Sequence, residues 1–378
     1  MKKILIFIFF LLAACSNDDV SEELNQTPQN SQEPNIINNS APEPETRELT
    51  RFEDVRIGFM HNGEFIGFFD TVIQFIGYAY SQEEFDGYAD ILFDEFARLH
   101  LLFDIYNSYE GINNLYVINN AGGEWVDIDD DVLALLEAGI LAHEITGGAT
   151  NIAMGSVLSI WHDYRTRNEN VLPQPEALLE AADFAYIENI EIEYNSNGAR
   201  VRLREPQAQL DVGALAKGFA AGLAMEKVQN AGMLAGLLSA GGHVVAFGER
   251  SSERPFWNVA VENPDTEGEH VDVVSFTNAS LSVSGGYHRF FEVDGVRYPH
   301  IIDPATLMPA NKYILVAVWH EKSWMTDILS TALFVLPIET GYALAEANDA
   351  RVLWVDAQGR VSATDAYLEI SRGFGSFE

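Results

Sequence analysis

Between Arg51 and Glu378, strand-type and helix-type segments follow one another in an irregular order, and that order constrains the fold more than any other feature of the chain. Segments rich in β-branched and aromatic residues predict strands at Asp70 to Gly77, Trp257 to Glu262, Val271 to Phe276, Ile314 to Trp319 and Arg351 to Val355. Apolar residues at helical spacing predict helices over Asp86 to His100, Asp130 to Thr146, Gln174 to Ala182, Ala214 to Ala231, Met325 to Leu336 and Glu339 to Asn348. Gly232 and Pro337 mark two of the helix ends, and Asn197-Gly198, Gly241-Gly242 and Asp294-Gly295 read as tight turns. Because strands and helices do not alternate as βαβ units, the expected class is α+β with mixed sheets and packed helices. The stretch contains no long linker or repeat and is long enough for one large domain or two lobes.

The chain has one cysteine, Cys15, so the rest of the protein holds no internal disulfide and must be stabilised by core burial. Lys2 and Lys3, an apolar run from Ile4 to Leu12 and the sequence Leu12-Ala13-Ala14-Cys15 read as a signal segment over residues 1–15. The run is too short to span a bilayer. Its end resembles a bacterial lipobox, which makes Cys15 the expected lipidation site, anchoring an extracytoplasmic protein to a membrane. Residues 16–50 are polar and poor in large apolar side chains, the composition of a disordered tether with an average reach of roughly 30 to 35 Å. Net charge is −35; the signal contributes +2 and the tether −7, leaving −30 on the part from Arg51 onward. A field of that sign excludes nucleic-acid binding, and it requires any phosphate site to supply its own cations.

Three distant blocks carry residues suited to phosphate chemistry. In L-D-V-G-A-L-A-K-G (Leu210 to Gly218), Asp211 is placed to cap a following helix, Gly213 and Gly218 permit close approach, and Lys217 lies where its ammonium could meet an anion. Asp327 and Thr331, four apart in a predicted helix, present a carboxylate and a hydroxyl on one face, a donor pair that suits magnesium. His300 sits between Pro299 and the Asp303-Pro304 pair, a positioned imidazole titrating near neutrality that could take a proton from a hydroxyl. Each block taken alone also admits a structural role: a capped helix with a solvated lysine, a threonine bonded to its own backbone, a loop histidine.

Taken in order, L-D-V-G-A-L-A-K-G-F-A, L-L-S-A-G-G-H, S-V-S-G-G-Y-H-R-F-F, H-I-I-D-P-A-T-L-M-P-A and T-D-I-L-S-T-A-L-F-V-L resemble the ApbE family of FAD:protein FMN transferases. The upstream T-N-I-A-M-G-S-V-L-S-I-W and F-D-I-Y-N-S-Y-E-G-I-N-N-L extend the likeness over most of Arg51 to Val361. The resemblance implies a flavin transferase fold around a nucleotide cleft. It also implies magnesium, FAD as substrate, and transfer of FMN to a threonine or serine hydroxyl of an acceptor flavoprotein with release of AMP. Carried over by residue, Phe69, Ala149, Thr150, Asn151, Asp211, Lys217 and Ile301 would bind the flavin nucleotide. The Ala214 carbonyl, Asp327 and Thr331 would hold the metal, and His300 would be the base. The match departs at Gly222, His243 and Gly286, where aspartate is frequent in the family. An FAD pyrophosphatase or a non-catalytic FAD-binding lipoprotein are the alternatives.

Overall fold

The computed structural model describes residues 58–375 apart from 168, 169, 197, 252, 265, 267 and 288, so the signal segment, the tether and Cys15 lie outside the described residues. The first elements are strands β1 (Phe59–Phe68) and β2 (Thr71–Ala79), joined by Phe69 and Asp70, both left-handed (φ 51° and 52°) as a two-residue hairpin turn requires. Then come helices α1 (Gln82–Phe103) and α2 (Leu115–Asn119), strand β3 (Val126–Ile128), and helices α3 (Asp130–Thr146), α4 (Gly155–Arg167) and α5 (Pro175–Ala182). Strands β4 (Ile190–Asn195) and β5 (Gly198–Leu203) lead to α6 (Ala216–Asn230). Seven strands follow: β6 (Gly236–Ala240), β7 (His243–Phe247), β8 (Trp257–Glu262), β9 (His270–Phe276), β10 (Ala279–Gly285), β11 (Phe290–Val293) and β12 (Val296–Pro299). The chain ends with β13 (Ile302–Asp303), β14 (Met308–Pro309), β15 (Tyr313–His320), α7 (Ser323–Val335), α8 (Ile338–Ala347), β16 (Arg351–Asp356), β17 (Val361–Ala363) and α9 (Asp365–Leu368).

An eight-stranded sheet in the order β1-β2-β6-β7-β10-β15-β16-β17, antiparallel throughout, forms the middle layer. Its inner strands are buried on both faces by alternate residues. Val316 and Val318 of β15 join the core beneath α1, α3, α6 and α7, while Leu315 and Ala317 join a second core beneath the β8–β9 hairpin and α9. Each fully buried Val, Leu, Ile or Phe contributes roughly 1.5–3 kcal/mol, so these two cores replace the disulfides the chain lacks. The α+β expectation holds, and the described residues belong to one compact unit, not two lobes. No helix among them is long and apolar enough to cross a membrane.

Two expectations are met to the residue, β8 and α3, and the other expected elements are found with their ends displaced by a few residues. Gly241 and Gly242 (φ 55° and 86°) turn β6 into β7, and Asp294 and Gly295 (φ 50° and 79°) turn β11 into β12. One local reading is corrected. The helix expected from Ala214 begins at Ala216, its N-cap is Leu215 without a side-chain bond, and Asp211 does not cap it. The Asp211 carboxylate instead accepts from the Gly213 N–H at 2.8 Å, closing a turn ahead of the helix.

Candidate active site

Asp327 is the centre of the arrangement. It lies in the first half of α7, which packs between α6 and strands β10 and β15, and its side chain is only 3% exposed. Oδ1 accepts from His243 Nδ1 at 2.8 Å and from the Ser282 hydroxyl at 2.7 Å. Oδ2 accepts from the Gly218 N–H at 2.8 Å and has the Lys217 ammonium at 3.5 Å. Burial alone would raise the Asp327 pKa. The charges of Lys217 and His243, with the hydrogen bonds from His243 and Ser282, more than offset it and hold the carboxyl well below the usual range. The face of α7 that carries Asp327 is therefore not a solvated one: it is buried, and the carboxylate joins three other elements.

The neighbours are fixed in turn. His243 is fully buried and bonds Ser323 through Nε2 at 2.8 Å, while the Ser323 hydroxyl lies 2.6 Å from the Gly218 carbonyl. Gly218 has to be glycine here, because a Cβ would stand 2.8 Å from His243 Cε1, 2.9 Å from the Ser323 carbonyl oxygen and 3.0 Å from Asp327 Cγ. Three of the four positions on the carboxylate are taken by short bonds, and the fourth is held only by an ammonium too distant for a strong one. Thr331, one turn along α7, makes no side-chain hydrogen bond among the described residues. A carboxylate with one loosely held position, a free hydroxyl and the Ala214 carbonyl are hard oxygen donors that could hold magnesium.

His300 stands at the end of β12, with its backbone N–H and its Nδ1 both 3.0 Å from the Arg289 carbonyl. A carbonyl only accepts, so Nδ1 carries the proton and Nε2 keeps a lone pair. Neutrality of the ring is enforced. Partial loss of hydration pulls the pKa down, as do the charges of Arg289, Arg165 and Lys217, and it falls to about 4. This corrects the expected titration near neutrality: three cations act on one imidazole.

Other expected residues take supporting roles. Thr150 is buried and spends its hydroxyl on the Ile328 carbonyl at 2.9 Å, tying the loop before α4 to α7. Asn151 is engaged at both ends of its amide, by the Ala185 carbonyl and the Ala153 N–H, each at 2.9 Å. Ile301 is core, Ala149 packs against the same core, and Phe69 stacks edge-on against Phe96 and His100. Burial raises the Asp211 pKa against the hydrogen bond from the Gly213 N–H and the charge of Arg165. Sequence reasoning missed His243, Ser282 and Ser323 as partners of Asp327, although the L-L-S-A-G-G-H and S-V-S-G-G blocks that hold two of them were visible.

A family profile described as the ApbE family matches residues 69–354. The chain belongs to the ApbE family. Among curated relatives, this ApbE-family chain is 35% identical to the FAD:protein FMN transferase of Treponema pallidum over 258 residues, which are 64% of this chain and 71% of that one. It is 30% identical to the protein of the same name from Haemophilus influenzae over 230 residues, 60% of this chain and 66% of that one. Among solved structures, the ApbE protein of Thermotoga maritima superimposes with a TM-score of 0.74 at 25% identity, covering 83% of this chain and all of that one. The flavinyl transferase ApbE of Pseudomonas stutzeri gives 0.71 at 23% identity, over 85% and 98% of the two chains, and supports the fold.

Proposed function

We propose that this protein is an FAD:protein FMN transferase acting on a threonine or serine hydroxyl of an acceptor flavoprotein. The observation that carries the reading is the meeting of Lys217 and Asp327, 110 positions apart in sequence, at 3.5 Å, with Lys217 also acting on His300. In the reaction the acceptor hydroxyl oxygen forms a bond to the FMN-side phosphorus of FAD. The phosphorus–oxygen bond to the AMP phosphate breaks, and AMP leaves. His300 Nε2 takes the hydroxyl proton; as a weak base it is neutral and ready throughout the physiological range. Lys217 neutralises charge on the diphosphate oxygens. Asp327, Thr331 and the Ala214 carbonyl would hold magnesium, which supplies further charge neutralisation at the diphosphate when bound. Phe69, Ala149, Thr150, Asn151, Asp211 and Ile301 shape the nucleotide site, Thr150 and Asn151 through the loop they fix. Cys15 is the proposed lipid attachment point, holding the protein outside the cytoplasm at a membrane.

The test incubates the full chain with FAD, magnesium and a threonine- or serine-bearing acceptor flavoprotein. Flavin fluorescence that stays with the acceptor on a denaturing gel, together with one AMP per label, is the expected result. Free FMN and AMP with no labelled acceptor would replace the transferase with a pyrophosphatase, and unchanged FAD would leave only a binding protein. Anchoring is tested separately: Cys15→Ser should move the protein from the membrane fraction to the soluble one.

A further inference from the structure

The domain is strongly acidic, and arginines such as Arg98, Arg200, Arg202, Arg204, Arg351 and Arg360 each meet a carboxylate. Arg165 and Arg289 are among those that do not: among the described residues neither forms an ion pair. They come from distant parts of the chain, one near the end of α4 and the other just before β11. Arg165 Nη2 donates to His162 Nδ1 at 3.1 Å, and Arg289 Nη2 donates to the Asp70 carbonyl at 3.2 Å. Each therefore rests on a neutral acceptor and keeps most of its five N–H donors free. The His162 ring, which accepts at Nδ1, has its other nitrogen as a donor and packs on Tyr106 with centroids 5.2 Å apart.

The two guanidiniums repel each other. The Arg165 pKa is lowered by burial first and by the charge of Arg289 next, with Asp211 and Tyr106 opposing. A half-buried guanidinium held beside a like charge, in a protein with a surplus of carboxylates, is unfavourable unless something anionic lies between them. His300 Nδ1 lies 3.0 Å from the Arg289 carbonyl, which sets Arg289 at the rim of the same site, and the charge of Arg165 acts on His300 as those of Arg289 and Lys217 do. Guanidinium forks match the planar spacing of phosphate oxygens, which a point charge such as Lys217 does not.

We propose that Arg165 and Arg289 form a phosphate-recognition subsite beside His300, which grips a diphosphate oxygen of the substrate. The subsite rests on the nucleotide reading above and adds two residues to it. It holds the phosphate through fixed donors, so part of the affinity for FAD is independent of metal.

Binding is measured with the full chain in the presence of a metal chelator, so that no turnover intervenes. The probes are FAD, riboflavin, which has no phosphate, and inorganic pyrophosphate as competitor, against wild type, Arg165→Gln, Arg289→Gln and the double variant. Each single variant should weaken FAD about tenfold, the scale of one charge-assisted contact, while riboflavin changes less than about twofold. The affinity of wild type for FAD should fall with added salt more steeply than that of the double variant. Arg289 is exposed, so its variant stays informative even if Arg165→Gln perturbs α4, and thermal melting checks both. FAD binding in the double variant within about twofold of wild type would overturn the subsite, as would equal losses for FAD and riboflavin. A wild type that binds pyrophosphate but not FAD would instead sink the functional reading and leave the guanidinium pair standing.

Discussion

Replacing Asp327 with alanine removes one acceptor from four donors at once. The Gly218 N–H is fixed by the backbone of α6 and has no alternative. His243 Nδ1 is fully buried and loses its only acceptor, while the Ser282 hydroxyl can rotate toward Ser330, 3.5 Å away. A buried donor left without a partner costs about 1–3 kcal/mol, and breaking a buried charged pair about 3–5 kcal/mol, so we expect a loss of about 4 kcal/mol. An unfolding entropy of about 2.1 cal/mol/K per residue over roughly 320 residues gives about 0.7 kcal/mol/K, so the midpoint should fall by about 6 °C. Asp327→Asn should cost less, because its oxygen can keep the bond from the Gly218 N–H and its amide fills the same space. Differential scanning calorimetry of both variants, with His243→Ala and the double variant as a cycle, gives the coupling. The same network sets an acid limit. A carboxyl whose folded pKa is depressed contributes fully above its unfolded value near 4 and loses that contribution as pH falls toward the folded pKa. The wild-type midpoint should therefore drop below about pH 4 more steeply than that of Asp327→Asn. An Asp327→Ala protein melting within about 1 °C of wild type would refute the whole account of these bonds.

Gly218→Ala, which in most helices is stabilising, should here destabilise by about 1–3 kcal/mol through contact with His243 and Ser323, as chemical denaturation will show. With the His300 pKa lowered to about 4, kcat/KM should stay level from pH 8 to about 5 and decline only below; a midpoint near 6.5 would show that the ring is not held neutral as described. His300 also binds fewer protons folded than unfolded between about pH 4 and 6.5, so its contribution to stability is complete above that window and lost across it as pH falls. Thr331→Val should leave the melting temperature unchanged and raise the magnesium concentration for half-maximal turnover about tenfold; an equal magnesium requirement would remove Thr331 from the metal site.

Much of the fold was legible where pattern and punctuation agree. Asp129 to Gly147 announces α3 through acidic residues at its start and a glycine at its end, and β8 shows clean alternation of buried and exposed residues. Strands β6 and β7 were missed because they are short and buried on both faces, so no alternation marks them. Helix α4 was missed for a different reason: glycine and serine open it, and its buried residues cluster in the first half. At the site, Lys217 and Asp327 could be chosen from the sequence because ammonium and carboxylate carry their chemistry with them. His243 and Ser323 could not, since only the packing of α7 against α6 and the large sheet decides which polar groups face Asp327. Arg165 and Arg289 were invisible for a similar reason: an arginine without a partner is defined by its surroundings.

The donors to Asp327 lie 45 to 110 positions before it in the chain. Such long loops close late in folding, because their entropy is lost before any of these bonds can form. A growing or partly folded chain therefore has no competent site until α7 docks on the sheet, and no fragment ending short of residue 323 should bind nucleotide. A ligand bridging the same elements would act as a clamp on the last step, so its presence should slow unfolding more than it speeds folding.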